Sequence, residues 1–219
     1  MKKNFLMVLL TCVLNFAIFP QTGVIRELAG DVQIKPRGAS DFSPAQIGST
    51  IALDTIVSTG FRSNALIAIG STMITVRPLT RLSLAEIQSS AGTETLNVNL
   101  QAGRIRVDVT PPAGTRADVS IQSPVATASV RGTSFDMDTR NLKVSSGTVN
   151  WSDSNSFSMA VTQGYSSTIS DTERVIDPIE LAELELTPST PVGSGDAGES
   201  LRSSALDTDG GNLDMGFAW

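Results

Sequence analysis

Histidine is absent from the 219 residues. With it go the usual general base near neutral pH, Ser-His-Asp and Cys-His nucleophile activation, and the common zinc sites. Carboxylates are what remains to do chemistry, and within residues 24–169 the closest pair is Asp136 and Asp138, two apart and so on one face of any strand that carries them. Such a pair can hold a divalent cation or serve as the acid and base of a glycosidase. Solvent-facing strand positions hold aspartate for solubility as a rule, and that is the expectation here. Asp207-Thr208-Asp209-Gly210-Gly211 opens like a calcium loop, but its twelfth position is Ala218, where a bidentate glutamate is required, so an EF-hand is rejected. The single cysteine, Cys12, follows Leu9-Leu10-Thr11 in the manner of a lipoprotein cleavage box. Leu14, Phe16, Ile18 and Phe19 carry the apolar run past it, which reads as leader filler and not as a lipid anchor. No catalytic residue, metal site or cofactor is expected.

Two further residue types bear on function through position. Arg131 stands in Ala128-Ser129-Val130-Arg131-Gly132-Thr133-Ser134-Phe135, between small and apolar residues where a guanidinium needs a carboxylate partner. The expectation is a buried structural ion pair, whose replacement by Leu or Met should lower the melting temperature markedly. Glycines recur at Gly60, Gly70, Gly103, Gly132, Gly147 and Gly164, each beside a strand-like run, where turns commonly need positive φ. None opens a helix in a Gly-x-Gly-x-x-Gly or Walker context, so nucleotide binding is not expected.

The elements that must position these residues are strands. From residue 24 to 169 short apolar alternations are separated by Gly, Pro, Asn, Asp and Ser. Ala65-Leu66-Ile67-Ala68-Ile69, Leu96-Asn97-Val98-Asn99-Leu100 and Ile105-Arg106-Val107-Asp108-Val109 show the period of two that buries one face and wets the other. Frequent Thr and Val suit a pleated surface. The expected fold is all-β: many short, mainly antiparallel strands in a sandwich or rolled sheet, with a β-solenoid as the alternative.

The ends differ in composition. Lys2 and Lys3 precede an apolar run too short to span a bilayer, and Pro20-Gln21-Thr22-Gly23 breaks it, which reads as a cleaved export signal over 1–21. Asp177-Pro178-Ile179-Glu180 supplies helix-start signals, so a short helical or linker segment is expected over 171–186. Residues 187–219 read as a disordered acidic tail, although Leu213, Met215, Phe217 and Trp219 recover an alternation able to add a strand to a sheet edge. Loss of the leader takes two of the 16 basic residues, leaving 14 against 22 acidic ones and a net charge of −8. Nucleic acid and anionic lipid surfaces are therefore not expected as partners, because both need clustered Lys and Arg.

Several blocks, in order, carry a family resemblance: Gly30-Asp31-Val32-Gln33-Ile34, Leu53 through Gly60, Ser63-Asn64-Ala65-Leu66-Ile67, Gly70 through Val76, Gln101-Ala102-Gly103-Arg104-Ile105, Ser123-Pro124-Val125-Ala126 with Val130-Arg131-Gly132-Thr133-Ser134-Phe135, and Val144-Ser145-Ser146-Gly147-Thr148-Val149. Taken together they resemble the FecR domain, over a domain expected at 22–170. Gly60, Gly70, Gly103, Arg131, Gly132, Thr133, Phe135 and Gly147 are its signature positions here, with structural roles. The resemblance implies a periplasmic β domain, best known in sensors that relay a signal from an outer-membrane transporter to an extracytoplasmic-function sigma factor. Such sensors carry a cytoplasmic segment ahead of a membrane helix, and only Met1-Lys2-Lys3 precede the apolar run here. What carries over is domain and location, not iron signalling. The expected function is a non-catalytic sensory or interaction module in the periplasm or outer envelope, with another envelope protein as partner. The alternatives are binding of an envelope glycan or small ligand, and a hydrolase working through Asp136 and Asp138.

Overall fold

A computed structural model describes residues 22–178 apart from 91, 171 and 173. The export signal, Cys12, the Asp207 loop, the C-terminal alternation and all of the expected helix beyond Pro178 lie outside the described residues. The strands are β1 (Gly23–Ala29), β2 (Val32–Lys35), β3 (Ser43–Pro44), β4 (Thr50–Ile51), β5 (Ile56–Thr59), β6 (Asn64–Ile69), β7 (Thr72–Val76), β8 (Arg81–Ser90) and β9 (Thr93–Ala102). They continue with β10 (Arg104–Val109), β11 (Arg116–Gln122), β12 (Ala126–Val130), β13 (Ser134–Asp138), β14 (Asn141–Ser146), β15 (Thr148–Asp153), β16 (Ser158–Thr162) and β17 (Ser166–Thr168).

Alternation decides the layering. Ala65, Ile67 and Ile69 of β6, Ile105, Val107 and Val109 of β10, and Ala117, Val119 and Ile121 of β11 are all buried, and their neighbours along each strand are not. A strand with one apolar face needs a second layer to cover it. Two open sheets supply it, ordered β17-β14-β13-β10-β7-β6-β1-β4 and β16-β15-β12-β11-β9-β8-β5-β2-β3. One cluster of aliphatic side chains, with Phe135 and Trp151 among its fully buried members, fills the space between them.

Both orders follow the chain except at one edge, where β4 lies outside β1 and β3 outside β2. Single strands and short hairpins are laid alternately on one sheet and then the other, so residues 23–168 form a sandwich in section and advance like a solenoid along its length. Nearly every pairing is antiparallel. The exception among the described strands is β9 with β11, which run parallel because β10 crosses to the opposite sheet between them. Crossovers of this kind bring the turns together at the two open ends of the sandwich.

Candidate protein-contact surface

Three buried hydroxyls knit the turns at one of these ends. Thr59, Ser63 and Thr80 are 4%, 0% and 1% exposed. The Thr59 hydroxyl donates to the carbonyl of Arg77 at 2.6 Å and accepts from the Thr80 N–H at 3.0 Å. That of Thr80 donates to the Arg104 carbonyl and accepts from the Arg104 N–H, both at 3.0 Å. Ser63 Oγ accepts from the Asp31 N–H at 2.8 Å and donates to the Phe61 carbonyl at 3.1 Å. Turn backbone that a sheet ladder cannot satisfy is thus satisfied by side chains.

What these turns present is apolar. Phe61, between β5 and β6, is 72% exposed, and Leu79, between β7 and β8, is 62% exposed. The Leu79 N–H donates to the Gly60 carbonyl at 3.2 Å, which ties the two turns into one surface. Arg62 and Leu79 both hold left-handed backbone, at φ 54° and 57°. For residues with a Cβ this costs on the order of 1–3 kcal/mol each, and Asp54 and Ser156 hold the same conformation in other turns. The Arg62 guanidinium lies 5.5 Å from the centre of the Phe61 ring. Beside Leu79 a shallow groove of about 590 Å³ runs past Arg104 to the Thr139-Arg140 turn. Sequence reasoning missed Phe61 and Leu79. The available signal was a large apolar residue immediately after Gly60 and after Pro78, inside turns where Ser or Asn is usual.

Asp136 and Asp138 do share a face of β13, and that face is an ion-pair ladder. Asp136 accepts from Arg77 at 2.9 Å and from Arg106 at 3.3 Å, and Arg106 reaches Asp108 at 3.2 Å. Its hydrogen bond to Asp108, with the nearby carboxylate charges, raises the Arg106 pKa further above its ordinary value. Asp138 accepts from Arg104 at 3.2 Å, from the N–H groups of Arg140 and Asn141 at 2.9 and 2.8 Å, and from Asn141 Nδ2 at 3.0 Å. Burial pushes the Asp138 carboxyl up, but the hydrogen bonds from Arg140, Asn141 and Arg104 together outweigh it and hold the group below the ordinary aspartate range. A general acid needs the opposite shift. Among the described residues no group of three His, Cys, Asp or Glu side chains is placed to hold a metal ion.

A pH dependence follows from Asp138. A carboxylate with a depressed folded pKa stabilises the fold above its unfolded value of about 3.9, and the contribution disappears as pH falls through the folded value. Asp138→Asn is expected to lower the urea midpoint at neutral pH, with the gap from wild type closing as pH drops below about 4. A gap that stays constant through that range would mean Asp138 acts through shape alone.

Arg131 corrects an expectation. It has the carboxylate partner, Asp118, at 2.7 Å, but its side chain is 77% exposed and that of Asp118 40%. The reason is parity: Ala128 and Val130 of β12 take the inward positions, and Arg131 follows them into the turn on the solvent side. Exposed pairs contribute about 0–1 kcal/mol, so Arg131→Leu is expected to leave the melting temperature nearly unchanged in a thermal scan, in place of the marked drop expected from sequence. Thr133, two residues on, is buried at 3% exposure, and its Oγ1 has no hydrogen-bond partner among the described residues. Phe135 is fully buried.

Of the glycines, Gly70, Gly103, Gly132, Gly147 and Gly164 have φ between 54° and 89°. Gly60 does not and is the second correction. Its constraint is space, because an added Cβ would stand 3.3 Å from Cβ and Oδ2 of Asp31, whose carbonyl accepts from the Gly60 N–H at 2.8 Å.

Residues 55–150 match the family model described as FecR protein. The matched span holds the blocks from Thr55 to Val149, and Gly30-Asp31-Val32-Gln33-Ile34 lies ahead of it. No curated protein matches the chain. Two crystal structures of a provisionally assigned anti-sigma factor from Parabacteroides distasonis are similar to it. One has 13% identity and a TM-score of 0.45 over 59% of this chain and 64% of that one, and the other 15% and 0.46 over 59% and 63%. The chain spans less than two thirds of the length of either.

Proposed function

Because the chain belongs, through residues 55–150, to the FecR family, we propose that it is a non-catalytic sensory or regulatory module that works in the bacterial cell envelope by protein contact. The observation that carries this reading is the turn end, where Phe61 and Leu79 stand exposed on backbone held by buried hydroxyls. Scattered exposed apolar residues are ordinary on any surface. Two of them on hydrogen-bonded turns, one held in strained backbone and the other next to it, form a rigid apolar anchor of the kind that dominates contact energetics. The carboxylates best placed for chemistry are engaged by arginines, and this favours contact over hydrolysis. Export rests on the basic and apolar leader, and placement in the periplasm or outer envelope follows from it.

The reading is tested by crosslinking in intact cells, comparing wild type with a Phe61→Asp, Leu79→Asp double variant. A reproducible protein partner is expected in the envelope fraction with wild type and is expected to vanish with the variant. Both positions face solvent, so the variant's melting temperature should stay close to that of wild type. Recovery of the chain in the cytosol with its leader intact, or equal crosslinking by both proteins, would refute the reading.

A further inference from the structure

The outer faces of the two sheets differ in chemistry. On the sheet that carries β10 and β13, solvent meets the Arg77, Arg106 and Asp136 ladder. On the other, the outward positions of β9, β11, β12 and β15 carry mainly hydroxyls and amides. Asn97, Ser120, Ser129 and Asn150 stand side by side across these four neighbouring strands. The next outward row is Asn99, Gln122, Thr127 and Ser152. Solvent-facing strands are ordinarily kept soluble and unpaired by Lys and Glu, and neither row has one.

The first row lines a groove of about 780 Å³ that ends at the Asp118–Arg131 ion pair and at Thr133. Within it the side chains of Ser120, Ser129 and Asn150 have no hydrogen-bond partner among the described residues, so their donors and acceptors are available. A second observation is independent of this surface pattern. Thr133 lines the same groove at 3% exposure, and its Oγ1 is unpartnered. A buried hydroxyl without a partner is uncommon in a folded domain.

We propose that this groove binds a neutral oligosaccharide laid across the strands along the Asn97, Ser120, Ser129 and Asn150 row. Neighbouring strands lie about 4.8 Å apart, so four in a row span roughly 14 Å. Ser120, Ser129 and Asn150 offer free donors and acceptors, and Asn97, whose Nδ2 donates to Glu86, offers what that bond leaves over. Serine hydroxyls and asparagine amides both donate and accept, as sugar hydroxyls do. An apolar ligand would strip these groups of water without replacing their hydrogen bonds. An anionic ligand would find one guanidinium, Arg131, already engaged by Asp118. The inference goes beyond the protein-contact reading and uses a different face of the molecule.

The test is to titrate the purified chain with chitohexaose, cellohexaose and maltohexaose while following the side-chain amide resonances of Asn97 and Asn150. Saturable shifts with at least one of the three are expected. Ser129→Leu and, without added bulk, Asn150→Ala should each weaken binding about tenfold, the scale of a lost hydrogen-bonded contact. Arg106→Ala on the opposite sheet should leave it unchanged. The absence of shifts with all three sugars, or shifts that survive both groove substitutions, would overturn the inference. A partner crosslinked through Phe61 while the groove ignores every sugar would likewise overturn it and leave the contact reading standing.

Discussion

Phe135→Ala is expected to destabilise the domain by about 3–5 kcal/mol, the range for deleting a fully buried aromatic side chain. Phe135 sits inward on β13, paired in register with Val107 of β10 on one side and Val144 of β14 on the other, and all three are buried. Neighbouring strands fix its surroundings on both sides, so little relaxation can fill the space it leaves, and the cavity adds to the lost transfer energy. A domain's total stability is commonly about 5–15 kcal/mol. The loss should therefore appear as a large drop in the urea midpoint at an unchanged slope. Phe135→Leu keeps most of the volume and should cost far less. Equal effects from the two substitutions would mean that the ring's packing is not what this position contributes.

Gly103→Ala carries the other large expected effect, for a different reason. Gly103 joins β9 to β10 at φ 89°, and an added Cβ would meet the Thr80 Cα, the Thr80 Oγ1 and the Leu79 carbonyl oxygen. The backbone conformation alone costs a residue with a Cβ about 1–3 kcal/mol. The collision comes on top, because its targets are backbone and the one hydroxyl that both donates to and accepts from Arg104. Gly38 separates the two causes: its φ is 80° and nothing stands within 4 Å of a Cβ there. Gly38→Ala should show only the conformational part in a urea titration, and Gly103→Ala substantially more. If the two cost the same, the close approach at Thr80 is not a constraint.

The sequence made the strands legible because burial on one face writes itself as a period of two, and Ala65-Leu66-Ile67-Ala68-Ile69 shows this without ambiguity. Which sheet each strand joins was not legible. Ile69 and Leu82 are both simply inward, and the alternation says nothing about whether the chain turns back beside itself or crosses the core. Sandwich and solenoid therefore stayed as alternatives, and the molecule combines the layering of one with the path of the other. Arg131 misled because its neighbours in sequence are apolar, while parity and the following turn place it in solvent. Gly60 was assigned to a turn conformation when its constraint is the approach of Asp31. Phe61 and Leu79 went unread because a lone apolar residue beside Gly or Pro looks like core in a one-dimensional pattern. Only the knitting by Thr59, Ser63 and Thr80, distant in sequence from some of their partners, shows that the turns hold them outward.

Contact through the turn end is tested most directly by a photoreactive amino acid placed at position 61 in intact cells, with the same group at position 38 as the reference. Gly38 is also a solvent-open turn, but it follows the Lys35–Ile56 end of the β2–β5 pair, whereas Gly60 follows the Val32–Thr59 end. The expected result is a covalent adduct to one envelope protein from position 61 and none from position 38. Adducts of equal yield from both positions, or from neither, would contradict the account.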